Sequence, residues 1–177
     1  MKLLREYVRQ LLTEAAKGPE DLPDGVFVRI DLTDDGTYEI YYAAEEGYYI
    51  EGSQNPVRGL IEIQETDEAC GGAFTVVESF AASGWGPLLY DVAMEFATTL
   101  GGGLTSGRVA VSLAARDVWD YYAEKRPDVT GIQMDDLDNT LTPTRDDNCG
   151  QDAAYKSERL ADIEWHESPL SKRWTKK

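Results

Sequence analysis

The apolar pattern of this 177-residue chain changes period at one point, and the change falls on a glycine turn. From Gly72 to Ala82, Phe74, Val76, Val77 and Phe80 mark a long, buried strand. From Pro87 to Thr99, Leu88, Leu89, Val92, Ala93, Phe96 and Ala97 recur at helical spacing. Pro87 suits a first helical turn, and Gly101, Gly102 and Gly103 end the helix. Between strand and helix stand Ser83, Gly84, Trp85 and Gly86. Such a junction is an anion site in physical terms. Glycine permits backbone conformations closed to other residues, and the first helical amides point outward at the positive end of the dipole. Tight packing at a strand-to-helix turn accounts for the same glycines equally simply.

The flanking chain fits a mixed α/β (α+β) domain. Leu3, Leu4, Tyr7, Val8, Leu11, Leu12 and Ala15 predict an amphipathic N-terminal helix that Gly18 and Pro19 end. Strands are expected over Val26–Leu32 and Thr37–Ala43, joined at Asp34-Asp35-Gly36 by a type I′ turn. Further strands are expected at Tyr48–Glu51, Val57–Glu65, Arg108–Val111 and Thr130–Met134. Ser112 is a natural N-cap for a helix from Leu113 to Arg126. Asp31, Thr33 and Asp35 have calcium-loop spacing, but Tyr42 stands where the loop needs its last carboxylate. The domain is expected to end at Met134, followed by an Asp-rich loop (Asp135, Asp136, Asp138, Asp146, Asp147, Asp152) and an extension to a basic tail with Lys172, Arg173, Lys176 and Lys177. The Asp-rich loop reads as a solvated segment, then as a surface for a cationic partner; its spacing fits no metal loop.

Charge narrows the partners. Asp plus Glu number 33 against 17 Lys plus Arg, a formal charge of −16. That argues against a broad phosphate-facing nucleic-acid surface and disfavours an anionic membrane. It suits a cationic small molecule or a basic protein. Cys70 and Cys149 are too few for a disulfide framework, and with His166 they make no zinc set, so a reducing, cytoplasmic setting is expected.

The turn ASGWGPLLYD, Ala82 to Asp91, resembles the cofactor turn of the GNAT-type N-acetyltransferases. That family places Gln/Arg-x-x-Gly-x-Gly/Ala after its fourth strand and holds the pyrophosphate of acetyl-CoA there. Gly84-Trp85-Gly86 matches the Gly-x-Gly part, while Ala81 stands where the leading Gln or Arg belongs. SLAARDVWDYYAEKR, Ser112 to Arg126, is similar to the family's later helix, whose Tyr protonates the departing thiolate. The runs GWGPLLYDVAMEFA, VWDYY and DDLDNTLTP further resemble GNAT-like proteins encoded by bacteriophages.

The resemblance implies a GNAT-like, mostly antiparallel mixed sheet with helices on both faces. It implies acetyl-CoA held by Ser83, Gly84, Trp85, Gly86 and Leu88. Glu78 is then the general base, acting through water, with Glu62 second; a main-chain N–H near Ser79 or Phe80 receives the thioester carbonyl; Tyr122, or Tyr121, is the acid. Three functions stay open: an N-acetyltransferase for a cationic amine in the host cytoplasm, a non-catalytic protein of the same fold associated with the phage virion, and an acidic DNA mimic.

Overall fold

The computed structural model describes residues 16–44, 47–48, 56–66, 70–136, 138, 141–145, 147–151 and 164–177. The expected N-terminal helix, most of the Tyr48–Glu51 strand, Asp146 and Asp152 lie outside the described residues. The chain is α+β. Its strands are β1 (Val26–Leu32), β2 (Thr37–Ala44), β3 (Gly47–Tyr48), β4 (Gly59–Glu65), β5 (Phe74–Ala81), β6 (Leu104–Thr105), β7 (Val129–Gln133) and β8 (Lys172–Lys176). Its helices are α1 (Gly86–Thr99) and α2 (Leu113–Lys125). The chain divides into two compact units, Met1–Glu62 with Glu78–Ala93, and Ile63–Val77 with Met94–Lys177; β4, β5 and α1 run through both.

In the first unit the strand order is β1-β2-β4-β5, with β3 on β2. β1 and β2 form an antiparallel hairpin in which Ile30 faces Ile40 and Leu32 faces Tyr38. The turn is not the two-residue type I′ form. It closes one residue earlier, where the Gly36 N–H donates to Thr33 O and the Thr33 N–H to Thr37 O. Only Gly36, at φ +86°, needs the left-handed region that glycine supplies. From Ile40 to Ala43 every residue of β2 is buried. Aromatic and β-branched side chains suit a strand covered on both faces, so simple alternation breaks down there. Ile40, Tyr42 and Ile61, with Leu88, Leu89 and Tyr90 of α1, are the unit's buried core residues. Gly59 lets α1 close in, since a Cβ there would stand 2.8 Å from Leu89.

In the second unit the order is β4-β5-β6-β8-β7. β5 and β6 are parallel over Phe74/Leu104 and Thr75/Thr105 only; β6–β8 and β7–β8 are antiparallel. Two expectations change here. Arg108–Val111 is loop, and the strand is the shorter Leu104–Thr105 just ahead of it. The segment read as an extension with a basic tail ends in β8, which lies between β6 and β7, so the unit does not stop at Met134. Cys70 and Cys149 are joined in a disulfide, against the expectation of two reduced thiols, and pack with Met134. The main chain of Cys149 is held as well: its N–H donates to Asp135 O, and its O accepts from Arg108.

Candidate functional site

The expected cofactor residues form one structure in the first unit. β5 ends at Ala81, and the chain turns at once. Ala82 N–H donates to Arg58 O at 2.8 Å, and Trp85 N–H donates to Ala82 O at 3.0 Å. Gly84 sits inside that turn at φ +83°, a conformation a side chain would strain. Ser83 is exposed, Gly84 and Gly86 are half-buried, and Trp85 and Leu88 are buried.

The turn is anchored from below by an aromatic pair. The Tyr42 hydroxyl donates to Trp85 O at 2.6 Å, and the two rings meet edge to face at 5.5 Å. Burial pushes the Tyr42 phenol well above its ordinary value, so it stays a donor. Trp85 is therefore part of the turn's foundation.

α1 begins at Gly86 and runs 14 residues. The first amides of an α-helix have no carbonyl partner within the helix. Trp85 N–H is taken by Ala82 O, and Pro87 has no N–H, so Gly86 and Leu88 supply the remaining amides of the first helical turn. Ser83 to Leu89 carries no charged side chain. The fold adds two main-chain contacts that a linear reading of the turn misses. Lys17 N–H donates to Gly84 O at 2.9 Å, and Arg58 receives Ala82 as above. Both are distant in sequence, and no local signal joins them to the glycines.

Carboxylates gather on the same unit's strands. Glu78 is exposed on β5, and Glu62 is half-buried on β4. Burial pushes the Glu62 carboxyl up, and the charges of Glu78, Glu39 and Asp35 push it further. Ser79 Oγ pairs with the Tyr90 hydroxyl at 3.0 Å, and Phe80 is half-buried.

Tyr121 and Tyr122 belong to the second unit, on α2. The Ser112 hydroxyl caps this helix by accepting from Ala115 N–H, as its sequence suggests. Tyr122 is 2% exposed, with Trp119 and Tyr121 each 6.1 Å from its ring and the Arg126 guanidinium 5.4 Å above it. Its ring is core packing plus a cation–π contact. Tyr121 is half-buried and is the more accessible phenol.

The start of the Asp-rich segment is not a solvated loop. Asp135 is fully buried, and its carboxylate accepts from the Asp136, Leu141 and Thr142 amides and the Thr142 hydroxyl. Arg108 ties the far end. It donates to Thr105 Oγ1, Leu170 O, Cys149 O and Gly150 O. Burial lowers the Arg108 guanidinium to about 10, still charged at neutral pH. Among the described residues no group of three or more His, Cys, Asp and Glu could hold a metal, and no helix is long and apolar enough to cross a membrane.

These groups set an acid response. Asp128 is held at about 2 by the Arg126 hydrogen bond. Tyr41 and then Arg29 lower Asp31; Thr33 and Thr37 lower Asp35. At Asp135 burial acts upward, and the four donors outweigh it. A depressed folded-state pKa stabilises above the unfolded value and is lost as pH falls through the folded one. Glu62 has the opposite sign: its raised pKa makes neutral pH the less favourable side, and protonation relieves it. The melting temperature is therefore expected to hold or rise slightly as Glu62 protonates on the acid side of neutrality, then to fall as the depressed aspartates protonate, down to about pH 2 for Asp128. A thermal-melt series checks this, and Glu62→Gln should remove the first phase only. A melting temperature that falls steadily from pH 7 would contradict the assignment of Glu62.

No protein-family model, curated protein or solved structure matches the chain.

Proposed function

We propose that this chain is a GNAT-like, acyl-CoA-dependent N-acetyltransferase that acts on a cationic amine. The observation that supports it most is the turn at Gly84. A positive-φ glycine leads directly into the first turn of a helix, and the main chains of Lys17 and Arg58 run beside it. That is a compact anion cradle suited to a pyrophosphate. The brief parallel pairing of β5 and β6, which stops at Thr75 while β5 continues to Ala81, agrees with a strand whose later backbone serves a ligand.

In this reading the acceptor amine attacks the thioester carbonyl, a C–N bond forms, and the C–S bond breaks. The ammonium proton passes to a carboxylate, directly or through water. Glu78 is the more open group, and Glu62, whose carboxyl is raised by burial and by neighbouring carboxylates, is a stronger proton acceptor than an ordinary carboxylate. The thiolate needs a proton from an acid; of the two α2 phenols that the resemblance offers for this role, Tyr121 is more accessible than Tyr122. The carboxylates favour a cationic acceptor over an anionic one.

Calorimetric titration with acetyl-CoA tests the reading. Binding is expected, and Gly84→Asp should weaken it about tenfold or more, because it adds both strain and a like charge. No heat at millimolar acetyl-CoA would overturn the proposal. The second reading, a non-catalytic protein of the same fold in a phage particle, is favoured by Pro87, which removes the middle amide of the cradle. Absence of acetyl-CoA binding together with co-purification in particles is its expected result.

A further inference from the structure

β1 is a seven-residue strand, and among the described residues its strand neighbour is β2 alone. Among the described residues the other side is a sheet edge. Natural edges are usually blunted by proline, bulges or inward charges, because an open edge pairs with another strand. Val26–Leu32 contains no proline, and its pairing with β2 is unbroken from Val26/Ala44 to Leu32/Tyr38. It also exposes large apolar side chains, with Leu32 at 61%, Phe27 at 43% and Ile30 at 36%.

We propose that β1 is a homodimer interface, in which β1 of a second copy pairs antiparallel with it about a two-fold axis through Ile30. The charge pattern selects this occupant and this register. Arg29 and Asp31 flank Ile30 on one face of the strand, 2.9 Å apart and both part-exposed. A two-fold axis perpendicular to the sheet keeps side-chain faces matched, so the register shifts only in steps of two. With the axis at Ile30, Arg29 stands opposite Asp31 of the second copy, and the reverse pair repeats. Four alternating charges then form a square. One step toward the N-terminus sets Arg29 against Arg29, and one step the other way sets Asp31 against Asp31. Like charges directly opposite are destabilising. On the other face the Ile30 register places Ile30 against Ile30 and Val28 against Leu32, so exposed apolar groups meet one another.

The overall charge of −16 opposes association of two copies. Val26–Leu32 carries one Arg and one Asp, so it is locally neutral, and the repulsion is smallest where the strands would meet.

Sedimentation equilibrium of the full chain is the test. A dimer is expected at roughly 100 µM protein. Arg29→Asp places four carboxylates at the axis and should weaken the dimer about tenfold or more. Arg29→Asp with Asp31→Arg restores the alternation and should restore the dimer. Loss of the Asp31–Tyr41 hydrogen bond is common to every Asp31 variant, and melting curves check that each variant stays folded. Ile30→Cys should give a covalent dimer on oxidation, because the two substituted positions face each other. A wild-type chain that stays monomeric at that concentration would overturn the proposal. So would a dimer indifferent to Arg29→Asp, which must use another surface, or a double variant that fails to recover.

Discussion

Trp174→Ala lowers the stability of the second unit by about 4 kcal/mol in denaturant unfolding followed by circular dichroism. Trp174 is 4% exposed at the centre of β8. It faces Leu104 of β6 on one side and Gly131 of β7 on the other. Its ring fills the space above Gly131, where a Cβ would come within 2.9 Å of it, and its indole N–H donates to Pro169 O at 3.1 Å. Truncation therefore leaves a cavity, and the Pro169 carbonyl loses a buried donor. Conservative Trp174→Phe keeps most of the ring and should cost about 1–3 kcal/mol. The loss also reaches further than one side chain. Among the described residues β7 pairs with β8 alone, so loosening β8 detaches β7 as well. A change below about 1 kcal/mol would mean that β8 adds little to the unit.

Reducing the Cys70–Cys149 bond is the second large effect. The two residues are 79 positions apart. Closing a loop of that length removes enough unfolded-chain entropy to stabilise by about 4 kcal/mol in the chain-entropy picture. For a chain of this size the corresponding fall in melting temperature is roughly 10 °C. Cys149→Ser should reproduce it and leave no further response to reductant. The effect should also be local in protease digestion, with cuts appearing near residues 141–149, since Cys149 holds that segment together with Asp135 and Arg108. Two free thiols in the denatured, unreduced protein would overturn it.

Where the sequence carries a period, the fold follows it closely. The β1–β2 hairpin, β4, β5 and both helices stand within a residue or two of their pattern, because runs of apolar, β-branched and aromatic residues bounded by turn residues mark them. The glycine turn was legible for the same reason: it marks the change of period. What escaped lacks a period or is stated by distant residues. β6 is two residues long between glycines, too short to show alternation. β8 reads as a cationic tail because Lys172, Arg173 and Lys176 surround Trp174. Their long stems carry the charge away from the strand: Arg173 reaches Gly71 O, and Lys176 reaches Glu95. Asp135 was hidden among its neighbours, since buried and solvated aspartates look alike in a run. Lys17 beside Gly84, and Cys70 beside Cys149, are facts of the fold alone.

β8 also fixes an order of events. Leu104 and Trp174 pair across 70 positions, and β7, made between them, has to wait for the same strand. On a ribosome the chain emerges from its N-terminal side, so β6 and β7 are both exposed before the strand that joins them exists. The second unit is thus expected to stay incomplete until residue 176 has cleared the exit tunnel. During that interval its two waiting strand edges are the part of the nascent chain most in need of a chaperone.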